Sequence, residues 1–173
     1  MKLLNKINRS LGCGFLLGAA LLASCQAKPE FLIDTAERYE ISGLEIGQTE
    51  EYLRVRMGAP NKVETLFSSG DYPTFVYSGL TVDMQVNGPN LDSPKVIAGI
   101  SSDSPKNCFN NTICPGDTLE SVKAKLGDTE ILPAENDKSA RLYYLLPILE
   151  TCWLWIFTED SETSSEVSIA CQP

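Results

Sequence analysis

The chain has 173 residues, 43% of them hydrophobic, with 14 Lys and Arg against 23 Asp and Glu, a formal net charge of −9 and no histidine. That length suits one or two small domains, and the acidic balance argues against nucleic acid, or anionic lipid headgroups held by broad electrostatics, as partners. Without histidine the usual general base and the commonest metal ligand are both missing.

Lys2, Lys6 and Arg9 precede an apolar run from Leu11 to Leu22, which closes in Leu22-Ala23-Ser24-Cys25. A basic start, a short apolar stretch and small residues before a cleavage point predict a lipoprotein signal over residues 1–24 rather than a spanning helix. The closing tetrapeptide resembles the bacterial lipobox, which implies Cys25 as the mature N-terminus and lipid-attachment site, carrying acyl chains such as palmitate. The alternative is an ordinary signal cleaved near Ala23, with Cys25 left as a free or disulfide cysteine. Gln26 in the next position resembles lipoproteins delivered to the outer membrane. Two or three acyl chains would anchor the protein, since one chain alone binds membranes marginally. Residues 25–40 then read as a lipidated tether and arm, polar through Pro29 before the apolar Phe31-Leu32-Ile33.

The first ordered unit is predicted over residues 41–105. It opens on Gly47-Gln48-Thr49-Glu50-Glu51-Tyr52-Leu53-Arg54-Val55-Arg56-Met57-Gly58. Thr49 is a candidate N-cap, Glu51 complements the positive helix start, Arg54 and Arg56 sit in the last turn, and Gly58 can close the helix with positive φ. Leu53 and Met57 share a face at i,i+4. Extended segments are expected over Lys62–Phe67, Thr74–Ser78, Thr81–Val86 and Lys95–Ser101, with Ser78-Gly79 as a hairpin turn. Alternation puts Val82, Met84 and Val86 on one face and Thr81, Asp83 and Gln85 on the other; Val96, Ala98 and Ile100 are expected inward.

Residues 106–115 read as a linker stapled by cysteines. With Cys13 lost in the signal and Cys25 lipidated, Cys108, Cys114, Cys152 and Cys171 remain, an even number in an exported chain. They are expected as the disulfides Cys108–Cys114 and Cys152–Cys171, the most local of three pairings, and not as a metal site, since no metal-ligand spacing is present.

The second unit, residues 116–173, opens on Gly116-Asp117-Thr118-Leu119-Glu120-Ser121-Val122-Lys123-Ala124-Lys125-Leu126-Gly127, which repeats the first helix pattern position by position. Strands follow near Glu130–Leu132, Arg141–Leu146, Thr151–Phe157 and Glu166–Cys171. A Cys152–Cys171 bond sets the last hairpin in register, so that Leu154 opposes Ile169 and Ile156 opposes Val167 on an apolar face. On the other face Trp153, Trp155 and Phe157 oppose Ala170, Ser168 and Glu166, and Tyr143 or Tyr144 is expected to join them. Those aromatics either pack between the halves or under residues 31–39, or form a protein-binding surface. The repeat therefore predicts an α+β fold: two tandem repeats of a short helix, or helix pair, each packed on a three- to four-stranded antiparallel sheet.

Gly-x-Thr, a short helix ending in an apolar residue and Gly, and then antiparallel strands resemble the SmpA/OmlA (BamE-like) lipoprotein fold. The tandem arrangement with disulfides is similar to the β-lactamase-inhibitor protein family. The first resemblance implies a part in outer-membrane β-barrel biogenesis; the second implies an aromatic sheet that docks on a hydrolase.

No nucleophile elbow, phosphate loop or metal spacing is present, and Asp83 is a lone carboxylate within the Thr81–Val86 strand, too few for a glycosidase pair. The sequence therefore predicts a protein that is not an enzyme, with no cofactor or metal. It predicts a lipid-anchored periplasmic module at the outer membrane that binds a protein partner through Tyr143, Trp153, Trp155 and Phe157 and supports envelope assembly or maintenance. The alternatives are an inhibitor of a periplasmic or secreted hydrolase and a structural envelope lipoprotein.

Overall fold

The computed structural model describes residues 38–65, 72–90, 92–129, 131–133, 140–146, 151–160 and 162–171. Cys25, the signal over 1–24 and the arm up to residue 37 lie outside the described residues.

A small hairpin of β1 (Glu40–Ile41) and β2 (Leu44–Glu45) comes first, turning on Ser42 and Gly43 with φ of 57° and 74°. Positive φ at both central residues is the two-residue turn whose twist matches that of paired strands. Helix α1 (Glu50–Met57) follows, then β3 (Lys62–Thr65), β4 (Pro73–Tyr77), β5 (Leu80–Val86) and β6 (Lys95–Ser102). Helix α2 (Leu119–Leu126) leads to β7 (Ile131–Pro133), β8 (Ala140–Leu145), β9 (Cys152–Thr158) and β10 (Glu166–Cys171).

The last eight strands form one antiparallel sheet in the order β3-β4-β5-β6-β10-β9-β8-β7. This corrects the expected pair of tandem repeats, each a helix on its own sheet. The protein is instead mostly strand, and β6 and β10 are hydrogen-bonded neighbours from Val167↔Ser102 to Ala170↔Gly99. The physical reason lies in the backbone edges that two separate sheets would leave. An unpaired edge leaves a row of unsatisfied backbone groups, and pairing β6 with β10 satisfies both rows, with the small residues Gly99, Ser101, Ser168 and Ala170 on the outward side of the join. The Ser101 and Ser168 hydroxyls close the seam at 2.8 Å.

Both helices start and stop as their sequences dictate. The Thr49 hydroxyl accepts from the Tyr52 N–H at 3.2 Å and the Thr118 hydroxyl from the Ser121 N–H at 3.1 Å. Gly58 and Gly127, with φ of 77° and 97°, donate their N–H groups to the carbonyls of Arg54 and Lys123. Two turns are too few for stability in isolation, so each helix depends on its apolar side. Leu53 is buried in α1, as are Leu119, Val122 and Leu126 in α2. Backbone bonds also tie the helix starts to the sheet: Gly47 N–H to the Ile97 carbonyl of β6 for α1, and Leu119 N–H to the Glu162 carbonyl in the turn between β9 and β10 for α2, each within 2.9 Å.

The inner sheet face carries Phe75, Val82, Met84, Ile97, Ile100, Leu142, Leu154, Ile156, Val167 and Ile169, all essentially inaccessible to solvent. Burial of each such side chain contributes roughly 1.5–3 kcal/mol. The expected inward set on β6 is corrected at two positions, Val96 and Ala98. A register shift between Asp83 and Met84 sends Ile97 inward beside Ile100, leaves Ala98 half-buried and pairs Val96 with Gln85 on the other face. Such a bulge reverses the alternation.

Two short helices cannot cover an eight-stranded face, and segments expected to be peripheral complete the core. Phe109 and Ile113, inside the 106–115 segment, are fully buried. Phe109 bridges to Ile41, and its ring stacks on Tyr39 with 6.0 Å between centroids. The Cys108–Cys114 disulfide closes this loop, and Cys152–Cys171 joins β9 to β10 in the expected register.

Candidate functional site

Alternation along β8 and β9 divides their residues sharply. Leu142, Tyr144, Cys152, Leu154, Ile156 and Thr158 are buried, whereas Arg141, Tyr143, Trp153, Trp155 and Phe157 are half-buried on the opposite face and Leu145 is 46% exposed. Register then sets the outward pairs: Arg141 opposite Phe157, Tyr143 opposite Trp155, Leu145 opposite Trp153. The Trp155 ring sits 5.7 Å from Tyr143 and 6.4 Å from Phe157, within the range of attractive ring contacts. The Arg141 guanidinium lies over the Trp155 ring, 5.5 Å from its centroid. These side chains make one aromatic block with a cation at its border.

The block continues across the sheet onto a floor of small residues. Trp153 faces Ala170 and Trp155 faces Ser168 on β10, which in turn face Gly99 and Ser101 on β6. Beyond the floor Asp83 accepts a 2.6 Å hydrogen bond from Thr74. Glu166, opposite Phe157, borders a cleft of about 250 Å³ with Ser101, Thr81 and Asp103. Burial raises the Glu166 pKa, Asp103 and Asp83 add to the rise, and a hydrogen bond from Ser101 works against it. The sheet face therefore runs from an aromatic, partly apolar end to an acidic end across a shallow middle. Such a surface can bind a partner. Among the described residues no three His, Cys, Asp or Glu side chains gather as a metal site.

Of the residues expected from sequence, Tyr143, Trp155 and Phe157 are in ring contact, and Trp153 lies on the same face of β9. Tyr144 points inward instead, where its hydroxyl donates to the Gly127 carbonyl at 3.0 Å. The halves meet edge to edge within one sheet, so the aromatics are not sandwiched between two sheets. Arg141 and Leu145 were not anticipated. The signal was available, because both lie two positions from Tyr143 and strand alternation puts them on its face.

No family model matches the chain, and no curated protein does. Among solved structures it is similar to a DUF4309 family protein, YjgB, from Bacillus subtilis subsp. subtilis str. 168, at 15% identity and a TM-score of 0.48, over 76% of this chain and 84% of that one. Among the described residues no helix is long and apolar enough to cross a membrane.

Proposed function

We propose that this chain is a non-catalytic, lipid-anchored module of the periplasmic face of the outer membrane that docks a protein partner on its outward aromatic block and supports envelope assembly or maintenance. The observation that carries the reading is the Tyr143–Trp155–Phe157 ring ladder with Leu145 exposed beside it. Trp, Tyr and Arg are the residues that dominate interface hot spots. Cys25 supplies the membrane attachment in this reading.

A second reading, inhibition of a periplasmic or secreted hydrolase, draws on the same surface. It is favoured by the acidic end of the face at Asp83 and Glu166, which gives an aromatic block and a charged block to one docking partner.

The two readings separate in a pull-down from envelope extract with a soluble form beginning at residue 26, wild type beside Trp153→Ala/Trp155→Ala. Barrel-assembly components captured by the wild type alone favour the first, and a hydrolase captured by the wild type alone favours the second. Identical recoveries from both proteins would sink the aromatic surface. Attachment is tested by Cys25→Ser, expected to move the protein from the membrane to the soluble fraction; retention in the membrane refutes lipidation at Cys25.

A further inference from the structure

Arg141 is the cation of the aromatic block, and among the described residues it has no counter-ion. Its guanidinium stacks over Trp155, and its Nε is shielded from solvent with no hydrogen-bond acceptor among the described residues. None of the ion pairs among those residues includes it. The carboxylate that shares its row of the sheet, Glu166, is separated from it by Phe157, one strand between them. At the usual spacing of neighbouring strands the two backbones are about 10 Å apart, and the two side chains form no ion pair across that gap. Glu166 is also engaged with Ser101 and crowded by Asp103 and Asp83. A half-buried guanidinium without a counter-ion loses part of its hydration, and an anion on its terminal nitrogens would offset that cost by neutralising the charge.

Resting on the docking role above, we propose that Arg141, held flat on Trp155, receives a side-chain carboxylate of the partner: one Asp or Glu set among apolar residues, which lie over Tyr143, Phe157 and Leu145. Charge complementarity fixes this class. Nε is shielded, so the terminal nitrogens are the reachable edge, and a planar guanidinium meets a carboxylate there with two parallel hydrogen bonds. A run of acidic residues would be rejected, because Glu166, Asp83 and Asp103 occupy the same sheet face and the whole chain carries −9. A single carboxylate in an apolar setting matches a single cation in an aromatic one, and the water excluded by the rings strengthens the pair.

The test uses the full chain, extracted in detergent, immobilised and challenged with a displayed library of random 12-residue peptides. The expected consensus from the wild type has one acidic position among apolar ones. With Arg141→Gln the apolar positions persist and the acidic one is lost. Arg141→Lys keeps the charge but not the fork or the stacking, and retains weaker acidic selection. For the best wild-type peptide, Arg141→Gln weakens binding about tenfold, more than most interface truncations cost. Replacing the peptide's acid by its amide weakens binding to the wild type similarly and has no further effect on Arg141→Gln, the signature of direct coupling. An apolar consensus without an acid, acidic selection that survives Arg141→Gln, or additive losses in that cycle overturn the carboxylate assignment and leave the docking surface standing. A library that yields no peptide sensitive to Trp155→Ala overturns both. Near-ultraviolet circular dichroism of each variant establishes that the comparison is between folded proteins.

Discussion

The hydroxyl of Tyr144 donates a 3.0 Å hydrogen bond to the carbonyl of Gly127, the residue that ends α2. Tyr77 reaches the Gly58 carbonyl after α1 at 3.5 Å, so a strand tyrosine satisfies the glycine at the end of each helix. Tyr144 is buried, and removing its hydroxyl leaves a peptide carbonyl without its donor. Tyr144→Phe is expected to cost about 1–2 kcal/mol in urea unfolding at pH 7.

The same tyrosine gives a pH signature. Burial, with a smaller contribution from Asp128, pushes its pKa up from 10.0 to about 12. The folded state therefore holds the phenolic proton more tightly than the unfolded chain does. Its contribution is fully present below pH 10 and is lost as pH rises from 10 through 12, with a limiting slope of about 1.4 kcal/mol per pH unit. Urea midpoints between pH 9 and 12 are expected to fall more steeply for the wild type than for Tyr144→Phe. Parallel curves would show that this phenol does not ionise differently on folding.

The two disulfides are expected to differ in weight. Cys152–Cys171 spans 19 residues and Cys108–Cys114 spans 6. Closing the longer loop removes more freedom from the unfolded chain, about 3 kcal/mol against about 2 for the shorter. Paired Cys→Ser replacements, compared by denaturant unfolding, are expected to show the larger loss at Cys152/Cys171. The reverse order would mean that the Cys108 loop matters through the Phe109 and Ile113 it delivers to the core rather than through chain entropy.

Asp160 organises the turn between β9 and β10. Its carboxylate accepts from the Thr163 N–H at 2.7 Å, the Thr163 hydroxyl at 2.7 Å, the Glu162 N–H at 2.8 Å and the Thr158 hydroxyl at 3.1 Å. These donors, the Thr163 N–H foremost, hold its pKa well below the usual carboxylate range. The turn in turn holds α2, through the Glu162 carbonyl that accepts from Leu119. Because the folded-state pKa is lowered, the stabilisation is present above the unfolded value near 4 and fades as pH falls below it. Asp160→Asn is therefore expected to lower Tm at pH 7, with the gap from wild type narrowing between pH 4 and pH 2. A gap that does not change with pH would show that the amide replaces the carboxylate as an acceptor.

Local features were legible in the sequence because local chemistry decides them. The Thr49 and Thr118 caps, the Ser78-Gly79 turn and the β9–β10 register follow from spacing and from one cysteine pair. The join between β6 and β10 was not legible, since it pairs Ile100 with Ile169 and no periodicity reaches across such a separation. Its trace was compositional: small outward residues on both strands. Ile97 was misplaced because one extra residue reverses the alternation, and burial of Phe109 and Ile113 was missed because a proline- and asparagine-rich stretch reads as a connector. At the candidate site the aromatics stood out by residue type. Arg141 did not, because a lone arginine becomes notable only when its stacking partner and missing counter-ion are visible.

The β6–β10 seam also governs how the molecule behaves in company. Two separate four-stranded sheets would present four open edges, each a template for another chain. Among the described residues the fused sheet has β3 and β7 as its edges. β3 carries Lys62 and Glu64, joined in an ion pair at 2.6 Å, and β7 ends in Pro133, which has no N–H to offer. Crowded together, copies of this chain would meet through guarded edges, and strand exchange between neighbours is suppressed by the same contact that makes each sheet whole.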